Sequence, residues 1–342
     1  LILRQEEDAM KQAGKVIIIG AGHVGSHAAY ALASQGLAGE IVLIDIDREK
    51  AAAQVLDIGD AVAYLPYPVK IKAGDYKDAG DGDVMVIAVG TNPDKAKGET
   101  RMDTLAATAA IIRDVAEEIR QSGFYGILVS ISNPADVIAH YLQYLLSWPA
   151  GKIISTGTAL DSARLRRVTA EAVGVSIEEV EGYALGEHGE SQIAAWSTVS
   201  IQGRALSELR EENKGKYGRI DWESLAGEVR GGGWTILEGK GSTEFGIGAA
   251  LAEVVRAVWE DKGTILPVST LLSGEYGQHG VYASVPAVLG RKGVKEVVEL
   301  KLTEEEKEKF GESCRIMREN FELAVTWYEK TRKARNDGAA SA

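Results

Sequence analysis

The feature that most limits what this chain can become is a junction near its start. Lys15-Val16-Ile17-Ile18-Ile19 is short, apolar and rich in β-branched residues, the composition of a parallel strand buried on both faces. It runs directly into Gly20-Ala21-Gly22-His23-Val24-Gly25, and an alanine-rich helical pattern follows to about residue 37. Strand, GxGxxG, then helix is the context that gives this motif its meaning. The glycines permit a tight turn, let the backbone approach a pyrophosphate, and let the helix pack close to the strand. The helix N-terminus adds unpaired N–H groups and a partial positive charge. A second buried run, Ile41-Val42-Leu43-Ile44, ends in Asp45, twenty residues after Gly25. A carboxylate there accepts hydrogen bonds from adenosine ribose hydroxyls and repels a 2′-phosphate, which selects NAD over NADP.

The alternation continues. Residues 55–64 predict a helix, 69–73 a strand, 84–89 a strand closing at Gly90, and 104–121 a long helix. Residues 127–131 predict a strand, 136–146 a helix and 152–155 a sixth strand. This is the pattern of an α/β, Rossmann-type doubly wound parallel sheet over residues 15–155, preceded by a polar arm at 1–14. Such sheets bind ligands at the carboxyl ends of their strands. Two of those ends carry polar residues, Gly90-Thr91-Asn92 and Ser132-Asn133-Pro134. Gly90 is placed at the cofactor. Asn133 could bond a nicotinamide ribose or a substrate, or simply cap the next helix. His23 and His27 stand four apart, a metal-ligand spacing, but no Cys or carboxylate accompanies them locally. They read as structural, and no metal is expected.

Composition excludes several classes of partner. With 50 acidic and 38 basic side chains the net charge is -12, the wrong sign for neutralising nucleic-acid phosphates. No apolar run is long enough to span a bilayer. The single cysteine, Cys314, permits no intrachain disulfide and fits a reducing, cytoplasmic compartment. A small anionic substrate is compatible with this charge, because it responds to the local field of its cleft.

The reactive groups lie mostly in the second half, read as an α+β catalytic domain over residues 156–332. The exception is Asn92 to Arg101, a polar loop with Pro and Gly that has the makings of a lid. Closing the Arg101 guanidinium over a carbonyl would stabilise developing negative charge on its oxygen. Asp161 and Arg164 are three apart in a predicted helix and can share a face. An Arg in a pocket holds a carboxylate bidentately, and an Asp beside a His fixes its tautomer. A surface ion pair is the plain alternative for the two. The histidine that would complete the set is His188, in Gly186-Glu187-His188-Gly189. Alone it is an ordinary loop histidine. With Asp161, Arg164 and Arg101 it becomes a proton-transferring group.

Taken in order, the glycine motif, Asp45, Gly98-Glu99-Thr100-Arg101, Ser132-Asn133-Pro134, Gly157-Thr158-Ala159-Leu160-Asp161-Ser162-Ala163-Arg164 and Gly186-Glu187-His188-Gly189 resemble the L-lactate dehydrogenase family. They are most similar to its L-2-hydroxyisocaproate dehydrogenase branch. The resemblance covers about residues 15–330. It implies an NAD-dependent L-2-hydroxy acid dehydrogenase, with His188 as acid/base, Asp161 orienting it, Arg164 clamping the substrate carboxylate and Arg101 polarising the C2 carbonyl. It also implies that Thr243 lines the substrate site, and that the protein is a homo-oligomer, by likeness a tetramer.

Two departures from the family's pattern bear on the substrate. The segment from Gly90 to Arg101 is two residues longer than in lactate enzymes, and residues 93–96 supply neither the Gln of those enzymes nor the Arg of malate enzymes. Gly231-Gly232-Gly233 falls where family members have small alanines on the pocket wall. Removing methyl groups enlarges a pocket, so larger aliphatic side chains are expected to enter, with Gly233 in the substrate site. The alternative for these glycines is a helix boundary or kink. Activation by fructose 1,6-bisphosphate is not expected: where the activated members of the resembled family carry an Arg and a His, this sequence has Arg166 and Glu181, and a carboxylate would face a phosphate.

Residues 303–330 predict a closing amphipathic helix, with Thr303 and Glu306 as a capping box and Phe310, Cys314, Met317, Phe321 and Val325 as its apolar stripe. Residues 333–342 read as a disordered tail. Three competing readings remain: malate-like specificity, a silent nucleotide-binding relative, and metal-dependent glycoside cleavage on this fold. The second should have lost one of the four polar groups, and none is lost. The third needs a metal set that the sequence does not offer.

Overall fold

The structure, a computed structural model, describes residues 14–91 and 104–339. Its first six strands are β1 (Lys15–Ile19), β2 (Glu40–Ile44), β3 (Lys70–Ala73), β4 (Val84–Ile87), β5 (Ile127–Ser130) and β6 (Ile153–Ser155). They lie in the order β3-β2-β1-β4-β5-β6, and every pairing among them is parallel. β4 and β5 are buried along their whole length, because helices cover both faces of the sheet. Those helices are α1 (His23–Ser34), α2 (Arg48–Val62), α3 (Leu105–Ser122) and α4 (Ala135–Leu146). The order reverses between β1 and β4, the switch point where such sheets open a crevice.

α2 begins seven residues before the predicted start. Asp47 caps it, accepting from Lys50 N–H at 3.0 Å. Its first two turns bury only Ala51, so hydrophobic periodicity could not reveal them.

The sheet does not stop at β6. After α5 (Ala159–Val173) come the two-residue strands β7 (Val180–Glu181), β8 (Ala184–Leu185), β9 (Ile193–Ala194), β10 (Ser200–Ile201) and β11 (Arg204–Ala205). Two short helices, Leu206–Glu212 and Lys214–Tyr217, lead into α6 (Trp222–Lys240) and α7 (Phe245–Glu260). Then β12 (Ile265–Ser273), β13 (His279–Gly290) and β14 (Gly293–Val297) extend the same sheet antiparallel from β6, to nine strands. The fold is therefore a Rossmann-type half and an α/β second half joined by one mixed sheet.

Helices from the second half also complete the core of the first. α7 packs on α1, and its Leu251, Val254, Val255 and Val258 join Val16, Ile18 and Leu32. The last helix, α8 (Glu304–Ala339), buries Phe310, Cys314 and Met317, with Phe321 and Val325 half-buried against α4. The Thr303–Glu306 box forms in both directions. Burial pushes the Cys314 thiol up to about 12, so it is packing, not a nucleophile. Residues 333–339 continue α8, which is helical to Ala339. Among the described residues no helix is long and apolar enough to cross a membrane.

Candidate active site

The phosphate turn is built from glycines that serve different ends. Gly20 has φ 102° and a Cβ on it would lie 2.5 Å from Ala88 O. A Cβ on Gly25 would lie 1.9 Å from Gly20 O. These two are demanded by the turn itself. Gly22 has ordinary extended geometry, and a Cβ there would meet only Lys50 Nζ, at 3.8 Å. Its bare backbone faces a cleft, as a pyrophosphate approach requires. Asp45, at the end of β2, accepts Ala21 N–H at 2.6 Å and Asp47 N–H at 2.9 Å. The carboxylate is thereby fixed at the edge of the turn, where a ribose would lie. The residues present fit NAD.

The cleft, about 480 Å³, is lined by Gly22, Gly90, Asn133, Arg164, His188, Gly233 and Thr243 among others. Residues scattered over two thirds of the chain thus meet at the carboxyl ends of β1, β4 and β5. Asn133 does not cap α4, whose N-cap is Pro134; it is half-buried on the cleft wall. Gly231 to Gly233 form neither a boundary nor a kink but lie inside α6. They differ in what they face. Gly231 borders open space, a Cβ on Gly232 would lie 3.3 Å from Arg164 Cδ and Nε, and Gly233 lines the cleft with His188.

Asp161 is the hub of the polar cluster. Its fully buried carboxylate receives His188 Nδ1 at 2.5 Å on one oxygen and Arg164 Nη1 at 2.8 Å on the other. One turn of α5 supplies both Asp161 and Arg164, so the helix presents them together. The pairing is no surface ion bridge, since Arg164 is also buried.

Sequence reasoning missed what holds the histidine's backbone. Asp136, in the first turn of α4, accepts His188 N–H at 2.7 Å and Ser284 Oγ–H at 2.8 Å. Burial pushes its carboxyl above the usual range, while the His188 and Ser284 hydrogen bonds oppose that shift. In the sequence an Asp at this position reads as an ordinary helix-start acid. On the other side, Ser313 of α8 accepts Glu187 N–H at 2.9 Å and bonds Ser191 Oγ at 2.9 Å. Trp234 of α6 donates its indole N–H to Glu190 at 2.8 Å. No local motif marks Ser284, Ser313 or Trp234.

Other expectations fall differently. Arg101 and residues 93–97 lie outside the described residues. Arg166 and Glu181 are both exposed, and Arg167 pairs with Glu171. His23 and His27 do have a carboxylate nearby, Glu244, brought from the start of α7 to 3.3 and 3.9 Å. Among the described residues no three His, Cys, Asp or Glu side chains are arranged to hold a metal.

A glycine cradle for a dinucleotide and a buried Asp–His–Arg cluster opening onto the same cleft define a nicotinamide-dependent dehydrogenase. Comparison with known proteins agrees. Residues 14–155 match the lactate/malate dehydrogenase NAD-binding domain, and residues 158–327 match the lactate/malate dehydrogenase α/β C-terminal domain. The chain belongs to that family, NAD-dependent oxidoreductases that act on the CH–OH group of 2-hydroxy acids. It is 39% identical over 305 residues to L-lactate dehydrogenase 3 of Bacillus thuringiensis, covering 89% of this chain and 96% of that one. To an L-lactate dehydrogenase of Fusobacterium nucleatum it is 37% identical over 318 residues, covering 93% and 99%. The ligand-bound crystal structure of minor L-lactate dehydrogenase from Enterococcus mundtii superposes with a TM-score of 0.87 at 35% identity, covering 91% of this chain and 98% of that one.

Proposed function

We propose that the protein interconverts L-2-hydroxy acids, L-lactate and larger aliphatic ones, with their 2-ketoacids. The observation that carries this reading is the single Asp161 carboxylate holding both His188 and Arg164 at the cleft wall. With Nδ1 committed to Asp161, Nε2 is the nitrogen that takes the proton from the C2 hydroxyl and returns it in reduction. Arg164 holds the substrate carboxylate bidentately, which fixes C2 beside His188. Arg101 polarises the C2 oxygen, and Asn133 and Thr243 complete the walls. NAD supplies the hydride acceptor for C2–H, so hydride and proton leave the substrate to different acceptors and the balance closes.

Gly233 supports the wider side-chain range, because it faces the cleft beside His188 without a methyl group. The test is kcat/KM with NADH for pyruvate, 2-ketoisocaproate and oxaloacetate. The branched ketoacid should match or exceed pyruvate, with oxaloacetate well below both. Gly233→Ala should lower 2-ketoisocaproate relative to pyruvate by roughly tenfold. A strong preference for oxaloacetate would overturn the reading.

A further inference from the structure

We propose that His23 is a cofactor-binding residue whose imidazolium, held by Glu244, partners the pyrophosphate, so that the dinucleotide takes up a proton as it binds. The inference concerns the cofactor alone and is independent of which 2-ketoacid is reduced. His23 stands between Gly22 and Gly25 of the glycine turn. His23 occupies the first turn of α1 and lines the cleft beside Gly22 and Lys50. Its Nδ1 lies 3.3 Å from Glu244 Oε1.

The charges around it explain why the proton matters. From α2, Lys50 lines the cleft, its Nζ 3.8 Å from where a Cβ on Gly22 would lie. From the end of β2, Asp45 is bonded to Ala21 N–H. From the α6–α7 junction come Lys240 and Glu244, which pair with each other, and Ser242 also bonds Glu244. From α1 itself, His27 Nδ1–H donates to His23 O at 2.7 Å, and its Nε2 approaches Glu244 to 3.9 Å. His188 lies on the same cleft. Among the described residues the two lysines and the two carboxylates cancel, and Arg164 on the same cleft is paired with Asp161. A ligand with two anionic phosphates therefore meets a more positive turn when His23 is protonated, beyond the helix N-terminus's own partial charge. That same partial charge works against a cation at the first turn, and Glu244 offsets it. Histidine exchanges its proton near neutral pH, so the ligand and the proton favour each other reciprocally.

The test uses ADP-ribose, which carries the pyrophosphate but no nicotinamide and so leaves His188 without a ligand group to answer. Calorimetric titration at low salt in two buffers of different ionisation enthalpy reads proton uptake directly. The wild-type chain should take up a fraction of a proton near neutral pH and bind roughly fivefold more weakly at about pH 8.5 than at about pH 6. His23→Asn should abolish both the uptake and the slope. His23→Lys should restore tight binding without uptake, which separates charge from fold. Glu244→Gln should move the uptake to lower pH, and His27→Asn should retain it. Adenosine, lacking phosphate, should show none. Uptake that survives in His23→Asn, vanishes in His27→Asn alone, or accompanies adenosine would overturn the proposal.

Discussion

The glycine turn and the Asp161–His188–Arg164 cluster face each other across one cleft, yet they are made in opposite ways. The turn is local: a strand end, three glycines and a helix start within eleven residues, with Asp45 pinned to it by Ala21 N–H. What it presents to the cleft is largely backbone. The cluster is assembled from Asp136, Asp161, Arg164, His188, Ser284 and Ser313, side chains that other side chains hold. A local device should fail through ligand affinity or through its own folding. An assembled device should fail through rate, with affinity for the cofactor preserved.

The sharpest break in that comparison is at the histidine. His188→Asn should reduce kcat/KM for 2-ketoacid reduction by roughly 10³–10⁴-fold, while NADH binding, followed by fluorescence, stays within about twofold. Asp161→Asn should also lower the rate severely. It leaves the Arg164 guanidinium buried beside a neutral amide, so KM for the ketoacid should rise as well. Near-normal turnover in His188→Asn would remove the proton-transfer role altogether.

The next effect tests whether the histidine's backbone is positioned. An Asn at position 136 can accept one of the two hydrogen bonds that Asp136 takes, but it offers N–H groups where the other acceptor was. One buried donor, His188 N–H or Ser284 Oγ–H, is then unsatisfied, at a cost of about 1–3 kcal/mol. Asp136→Asn should therefore lower the thermal midpoint and reduce kcat about tenfold, with NADH affinity unchanged. Loss of NADH affinity in step with kcat would mean that Asp136 supports the fold generally and not the His188 loop.

On the turn, two of the glycines make opposite predictions. Gly25→Ala drives a methyl group into Gly20 O and should abolish folding. Gly22→Ala meets only the flexible tip of Lys50. It should leave the thermal midpoint unchanged and weaken NADH binding by about tenfold, because the methyl group occupies the pyrophosphate's approach. Equal stability losses in the two variants would end the distinction between turn-required and ligand-required glycines.

These contrasts also explain what the sequence could disclose. The parallel block and the cradle were legible because strand, glycine spacing and helix follow one another along the chain. Asp161, Arg164 and His188 were legible as chemistry, through residue types and resemblance, and the structure joins them through one carboxylate. Asp136 was hidden by its ordinary place at a helix start, and Ser284 by a strand with no motif. Nothing in residues 265–297 announced that their strands would extend the first half's sheet, since a single register point, Ser269 against Ser155, makes that junction. The pairing of Glu244 with His23 was equally invisible, because more than two hundred residues separate them. Periodicity records what a residue buries locally, not which distant group it meets.

The smallest expected effect lies on α6, where two neighbouring glycines separate helix propensity from site geometry. Gly231 and Gly232 both sit in a helix interior, where alanine is favoured by roughly 0.5–1 kcal/mol. Gly231→Ala adds a methyl group to open space, so it should raise the thermal midpoint by about 1–3 °C and leave kinetics unchanged. Gly232→Ala gains the same propensity but sets a methyl group 3.3 Å from Arg164 Cδ and Nε. Arg164 cannot simply retreat, because Asp161 holds its guanidinium at 2.8 Å. A shift of a few tenths of an ångström there spoils bidentate contact with a carboxylate before it touches proton transfer. KM for the ketoacid should rise about threefold with kcat nearly constant. A fall in kcat instead would show that Arg164 moves Asp161 and His188 with it, so that the cluster responds as one body and the carboxylate clamp is not separable from the acid/base.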